Sequence, residues 1–416
     1  MGQFKKTIAV TQGQLTAQTD ETTGTVGGYL PLENLPNSLL DNTWHRLYED
    51  EDIYLSGEEV LTDYHFWSAY SPLSYLPQGV GVLVGRAAGL SIEGLVLAGR
   101  LTSWLCVTAL LCLAMRLLPR GRSAALVVAL LPMNLHETLS LGTDGMVTAL
   151  ATLMPAIVLR LRVRDGGRLS APKLAGLYAL AGCLALYKIV YLPVCLLYLL
   201  IPGRRFGGRT RRVIHVVAMA ALAVGLNLAW LHIVAGSSAR SGSDMALQLA
   251  YVLKEPLTYA LAVARLFFDG TYDMLTALVG NSLGHFNVST NSLFNFLYLA
   301  LVAVLFVPAL ARRDTDVGGP SKGSGERWPF ALLLAFIVAS VYLLICTSEY
   351  LYWTPVYNQT IEGFNGRYLI PLLLPTYFAV HRLRPTGFDE PLSPAALYLI
   401  LLVNAAMGLD MLFACL

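Results

Sequence analysis

An all-α polytopic membrane protein is the fold class this sequence predicts, and three observations predict it. Of its 416 residues, 55% are hydrophobic and 13% charged, about half the charged fraction of a soluble domain. Apolar runs long enough to cross a bilayer recur from about residue 94 to the C-terminus. The basic residues are gathered into short segments between those runs, which is the pattern of cytoplasmic loops. The net charge of +2 carries no information on partners, because the charges are sorted by side. No nucleic-acid partner is expected.

Four segments carry most of the basic charge: "MRLLPRGR" (115–122), "RLRVRDGGRLSAPK" (160–173), "GRRFGGRTRR" (203–212) and "ARRDTDVGGPSKGSGER" (311–327). A fifth, "HRLRP" (381–385), agrees with them. With these inside, spans fall at 94–117, 123–137, 144–161, 213–235, 294–311, 329–347, 368–382 and 394–415. The stretch 172–202 has basic flanks at both ends. As a single helix it would run about 45 Å, too long for one crossing and short for two. A tight hairpin with its tip near "YKIVY" (187–191) meets both constraints. The visible chain then has about ten transmembrane helices.

On this topology everything before residue 94 lies outside. Residues 1–76 hold eleven Asp or Glu against three Lys or Arg, which suits an extracytoplasmic polar segment. Residues 77–416 form the transmembrane domain. No charged and apolar leader opens the chain, so one further transmembrane helix is expected upstream, with Met1 an internal methionine.

Two outer segments read as interfacial helices, at about 77–90 and 246–268. In the first, Val80, Leu83, Val84, Ala87 and Leu90 share one helical face, and Gln78, Gly85, Arg86 and Gly89 the other. In the second, Pro256 suits a first helical position, and Leu257, Ala260, Leu261, Ala264 and Phe267 form a stripe. "EYLYWTPVY" (349–357) supplies an outer aromatic belt. The six cysteines have no metal or redox spacing and read as small apolar side chains.

Ionisable side chains at membrane depth mark function by default, and here they gather on the outer side, with Glu349, Glu362 and Arg367 in the last long outer loop. Arg100 lies in the outer third of the first visible span, where it serves a ligand or snorkels to headgroups. His136 and Glu137, in "LHETLSLGTDG" (135–145), read as solvated turn residues. Asp144, in the same turn, is either an N-cap or a functional carboxylate. Lys188, at the hairpin tip, is either an interface anchor or a ligand-binding cation.

Arg367, in "TIEGFNGRYLIPLLLP" (360–375), sits against the positive-inside bias, so topology does not account for it. A guanidinium grips phosphate in bidentate fashion. Asn365 and Gly366 before it permit a turn that presents backbone N–H groups to a ligand. Arg367 reads as an anion-binding residue.

Five blocks carry a family resemblance: "YSPLSYLPQGVGVLVGRAAGLS", "LLPMNLHETLSLGTDGMVTALA", "ALYKIVYLPVCLLYLLIP", "QLAYVLKEPLTYA" and "GFNGRYLIPLLLP". In this order, over residues 70 to about 385, the chain resembles a bacterial family of predicted polytopic membrane proteins, domain of unknown function 2142. That family is similar to C-type glycosyltransferases (GT-C), which take a sugar from a polyprenyl-phosphate donor on the outer face of the membrane. The resemblance implies family positions for Asp144, Lys188, Gln248, Pro256, Gly366, Arg367 and Tyr368. This chain departs from the pattern at Ile189, where the family usually has Pro, and at Asn365, where it has Gln.

The function so implied is a membrane glycosyltransferase of the bacterial cytoplasmic membrane. It would transfer a sugar from a polyprenyl-phosphate donor to a cell-envelope glycan, with membrane lipid as its third partner. Arg367, with Lys188 or Arg100, is the candidate for the donor phosphate; Asn365, Gly366, Tyr368 and Gln248 complete the candidate binding set. Asp144 is the candidate for positioning the acceptor or holding a divalent cation, and no other cofactor is specified. C-type enzymes carry a catalytic acidic residue directly after the first span. Nothing in 1–76, Asp63 included, matches it, so the base is expected upstream of Met1. The competing function is a transporter or flippase of a lipid-linked glycan, which would use the same cations for the same headgroup. Long outer segments and the lack of an internal repeat favour the enzyme.

Overall fold

The computed structural model describes residues 2–20, 22–32, 53–163, 166–234, 244–283, 288–311, 327–381 and 394–415. The basic loops at 312–326 and 382–385, the acidic stretch 33–52 and the start of the long outer segment at 237–243 lie outside these residues. The chain is mostly helical. Among the described residues, four helices are long and apolar enough to cross a membrane: Ile92–Leu117, Asp144–Val163, Arg209–Ile233 and Pro329–Tyr352.

The N-terminal segment corrects the all-α expectation. Helix α1 (Gly2–Thr11) packs beside a small antiparallel sheet of β1 (Gln18–Thr19), β2 (Val26–Leu30) and β3 (Val60–Asp63), in the order β1-β2-β3. Polar as the segment is in composition, Phe4, Ile8, Leu30 and Tyr64 are buried together with Val82, Ile92 and Leu95 of the following helices. Lys6 is buried there too, its Nζ donating to the Leu15 carbonyl at 3.0 Å. Burial lowers that ammonium to about 8.

Helix α2 (His65–Ser68) and a 3₁₀ turn (Pro72–Tyr75) lead into α3 (Leu76–Ala87), which lies along α4 (Ile92–Leu117). Helix α3 buries Gln78, Gly79, Gly81, Val82 and Gly85; of these Gly81 and Gly85 face α4, and Gly79 faces Thr11 of α1. A side chain at Gly81 would strike the Ala98 carbonyl, so small residues set this close approach. Gln78 and Gly85, expected on the outward face of an interfacial helix, therefore face protein. Val80, Leu83 and Val84 point outward and are exposed, a face suited to hydrocarbon.

The expected span at 123–137 is not one helix. It is α5 (Arg122–Leu130) followed by α6 (Pro132–Thr138), 9 and 7 residues long. Pro132 removes an N–H and drives Leu131 out of the helical region, to φ −53 and ψ 130. Neither piece is long enough to cross a bilayer.

Helix α7 (Asp144–Val163) is the centre of the bundle. Of its most apolar stretch 72% is buried inside the protein, against 17–33% for the other three long helices. Next comes α8 (Ala171–Tyr187), which ends at Lys188, extended at φ −154 and ψ 105. The chain then turns back as a 3₁₀ helix (Ile189–Leu200). The Tyr198 hydroxyl donates to the Leu177 carbonyl at 3.1 Å, and the Leu169 N–H to the Arg205 carbonyl at 2.8 Å. Residues 171–200 are thus a hairpin with Lys188 at its tip and its two bases side by side. Its arms match because they differ in rise: 17 α-helical residues cover about 25 Å, and 12 3₁₀ residues about 24 Å.

After α9 (Gly203–Phe206) comes the long α10 (Arg209–Ile233). The outer segment then forms α11 (Met245–Lys254), capped by the Asp244 side chain, α12 (Pro256–Asp269) and α13 (Thr271–Val279). Leu257 and Phe267 of the expected stripe are exposed, while Ala262 packs with Cys346 and Tyr350. A two-strand ladder of β4 (Ser282–Leu283) and β5 (Val288–Ser289) precedes α14 (Ser292–Ala311) and α15 (Arg327–Tyr352). A 3₁₀ helix (Gly366–Leu372) runs into α16 (Leu373–His381), and α17 (Pro394–Cys415) closes the chain.

Candidate functional site

Three separate chain reversals meet beside the N-terminus of α7. At the first, α6 gives way to α7 through a tight turn. The Ser140 hydroxyl donates to the Glu137 carbonyl at 2.8 Å and accepts from the Gly142 N–H at 2.9 Å. Gly145 permits the turn, since a Cβ there would come within 2.9 Å of the Thr138 backbone. Glu137 and Asp144 are thereby brought onto one side. The second reversal is the hairpin tip with Lys188. The third is the start of the 3₁₀ helix at Gly366. There the Asn365 side chain accepts from the Arg367 N–H at 3.0 Å, fixing the direction in which Arg367 leaves the backbone.

The four side chains form a chain of ion pairs. Arg367 Nη1 lies 2.9 Å from Glu137 Oε1, and its Nε 3.3 Å from Asp144 Oδ2. Lys188 Nζ lies 2.5 Å from Asp144 Oδ1. Two carboxylates and two cations make the group neutral as a whole. The Tyr368 ring supports both cations, with Lys188 Nζ 4.4 Å and Arg367 Cζ 5.3 Å from its centroid. The Tyr191 hydroxyl donates to the Tyr368 carbonyl at 2.8 Å, tying the hairpin to the last 3₁₀ helix.

This arrangement corrects the reading of Glu137 as a solvated turn residue. Its side chain is only 8% exposed, and it is the principal partner of Arg367. His136 lies beside it, Nδ1 3.7 Å from Glu137 Oε1. For Asp144 and Lys188, the bland alternatives of helix cap and lipid anchor do not describe what the side chains touch.

The quartet lies on the wall of a cavity of about 1500 Å³. Arg100 of α4 lines the same cavity and, among the described residues, forms no ion pair. Glu349 and Trp353 lie in the outer stretch 349–357 that the sequence marks, but most of the remaining wall was missed. Glu349, on the last turn of α15, faces the cavity and makes no ion pair among the described residues. Tyr70 is also there, its phenol pushed up to about 12 by burial. Phe66, Trp67 and Trp353 form an aromatic cluster, with Phe66 5.9 Å from Trp67 and 6.0 Å from Trp353. The Trp230 indole, on α10, donates to the Ala69 carbonyl at 2.7 Å and holds the 66–71 segment over the cavity. These residues come from widely separated stretches with no common motif.

Two of the predicted binding residues lie off the cavity wall. Gln248 is fully buried, away from the cavity, and accepts the Tyr357 N–H at 2.9 Å. Tyr357 has φ +67, so this bond holds an unfavourable turn of the 353–365 segment in place. Gly366 packs against α13. A Cβ there would collide with the Met274 carbonyl of α13, so glycine is required by helix contact. No group of three or more His, Cys, Asp or Glu residues among the described residues has metal-holding geometry.

A family model described as a predicted membrane protein, domain of unknown function 2142, matches residues 45–376. That stretch includes all four members of the charge quartet. No curated protein and no solved structure matches the chain.

Proposed function

The chain belongs to this family of predicted membrane proteins, and from that membership we propose that it is a membrane glycosyltransferase of the C type. In this reading it moves a sugar from a polyprenyl-phosphate donor to a cell-envelope glycan, on the outer face of the bacterial cytoplasmic membrane. The observation that carries the reading is one cavity that joins buried acid and cation groups to an aromatic mouth. The volume, about 1500 Å³, exceeds that of an ordinary small-molecule pocket of about 300–1,000 Å³ and suits two substrates. Arg100 supplies a cation uncompensated among the described residues for the donor phosphate, and Arg367 and Lys188, neutralised by Glu137 and Asp144, add N–H donors. A carboxylate takes the acceptor hydroxyl proton as its oxygen attacks the anomeric carbon. The sugar–phosphate bond breaks, and polyprenyl phosphate departs with its electron pair. Glu349 is our candidate for that base, since Glu137 and Asp144 are already engaged by cations.

The full-length chain in liposomes, given a panel of radiolabelled polyprenyl-phosphate sugars and envelope glycan, is expected to release polyprenyl phosphate and label the glycan. Movement of a labelled donor between leaflets without release would overturn the enzyme in favour of a flippase.

The topology we propose has about ten crossings, with α5 and α6 in succession making the one expected at 123–137. The hairpin bases and basic loops are cytoplasmic, and the cavity, the N-terminal unit and the helices near 77–90 and 246–268 lie outside. The adjacency of Leu169 and Arg205 supports it. In a cysteine-free background, single cysteines at Arg168 and at Arg209 are expected to escape an impermeant thiol reagent in intact cells. Both should react after permeabilisation. Labelling of only one of the two in intact cells would break the hairpin assignment.

A further inference from the structure

We propose that the basic end of the bundle, opposite the cavity, holds one anionic phospholipid. Its acyl chain would lie in a groove between α4, α7 and α8, with its phosphate against Arg160 and Lys173. The groove measures about 360 Å³ and is walled by Leu117, Leu153, Ile157, Leu161, Leu177 and Leu180. Among the described residues, Arg160 and Lys173 are its only ionisable lining residues, and neither forms an ion pair with another of them. Their basic neighbours are committed elsewhere. Arg162 donates to the Leu200 carbonyl at 3.1 Å and Arg205 to the Gly167 carbonyl at 3.2 Å, where they brace the hairpin bases.

Shape and charge together select the occupant. A free phosphate would satisfy the two cations and leave the apolar groove unfilled. A zwitterionic lipid would fill the groove but bring a cationic group toward two others. A phospholipid of net negative charge satisfies both features, as basic sites between membrane helices do for anionic headgroups. The inference rests on the opposite end of the molecule from the cavity and is independent of glycosyl transfer.

Native mass spectrometry of the full chain, offered phosphatidylglycerol or phosphatidylcholine, tests it. The wild type is expected to retain one phosphatidylglycerol about tenfold more than phosphatidylcholine, and inorganic phosphate should not displace it. Two different variants should lose that adduct. Arg160→Gln with Lys173→Gln removes the charges. Gly176→Leu fills the groove and leaves both cations in place; Gly176 lines the groove with nothing within 4 Å of an added Cβ. Gly225→Leu, at an exposed site on α10 that is equally open, is the control and should retain the lipid. A phosphatidylglycerol adduct that survives in either test variant, or no preference over phosphatidylcholine in the wild type, overturns the site.

Discussion

Replacing Arg367 with alanine is expected to remove about 3 kcal/mol of stability, because it strips one guanidinium from two carboxylates at once. Glu137 and Asp144 have side chains only 8% and 18% exposed, so water cannot fully take the place of the lost charge. Arg367 itself is 24% exposed, which puts the loss at the lower end of the range for a broken buried pair. Lys188 still compensates Asp144, so the penalty falls mainly on Glu137. Glu137→Gln added to Arg367→Ala should therefore recover most of the stability, since it removes the orphaned charge. Arg367→Lys should recover less, because one ammonium cannot bridge two carboxylates.

Thermal unfolding of the four proteins in nanodiscs measures this, and donor-lipid retention by the stable double variant measures function separately. A double variant that folds and still holds the donor makes Arg367 a structural residue. One that folds and releases the donor supports a phosphate contact.

The charge that sets this network was half legible in the sequence. Arg367 stood out because it opposes the topological bias, and Asp144 and Lys188 because they lie at span ends. Glu137 did not, since burial of a turn residue depends on how closely two helices approach. That approach is set by Gly145 against Thr138, a tertiary contact without a local pattern. The hairpin was readable from its basic flanks. That its second arm is a 3₁₀ helix was not, because runs this long are uncommon and are held here by distant hydroxyl bonds from Tyr191 and Tyr198. The break at Pro132 was in plain view. It was overridden by an apolar run that resembled a span, and Pro132 decides the matter through its missing N–H. The sheet of the N-terminal unit was hidden for the opposite reason. Its β1 and β3 are too short to show alternation, and β2 carries two adjacent glycines. The cavity was readable only in part: Arg100, Lys188, Glu349 and Arg367 were expected on one side of the membrane, whereas Phe66, Trp67 and Tyr70 join them only through the fold.

If the chain is the glycosyltransferase we propose, Glu349→Gln is expected to lower transfer by about a hundred- to ten-thousand-fold, the usual contribution of a general base, while donor retention stays within about threefold. The substitution is nearly isosteric, and the turn that carries it is fixed independently of the side chain. The Glu349 carbonyl accepts the Trp353 and Thr354 N–H groups at 3.0 and 2.9 Å. An amide cannot accept the proton of the acceptor hydroxyl, but it leaves the cavity wall and the cation pair intact. Removing either carboxylate of the quartet should act differently. Glu137→Gln and Asp144→Asn free Arg367 or Lys188 from a partner, so donor retention and stability should change along with turnover. The distinction is therefore a split between rate and binding rather than a loss of activity alone. It is measured as single-turnover transfer beside equilibrium donor retention in the same nanodiscs. If Glu349→Gln transfers sugar at the wild-type rate, the base lies elsewhere. Glu93, the other carboxylate on the cavity wall outside the quartet, becomes the next residue to replace. If transfer and donor retention fall together, Glu349 shapes the donor site and does not take the proton.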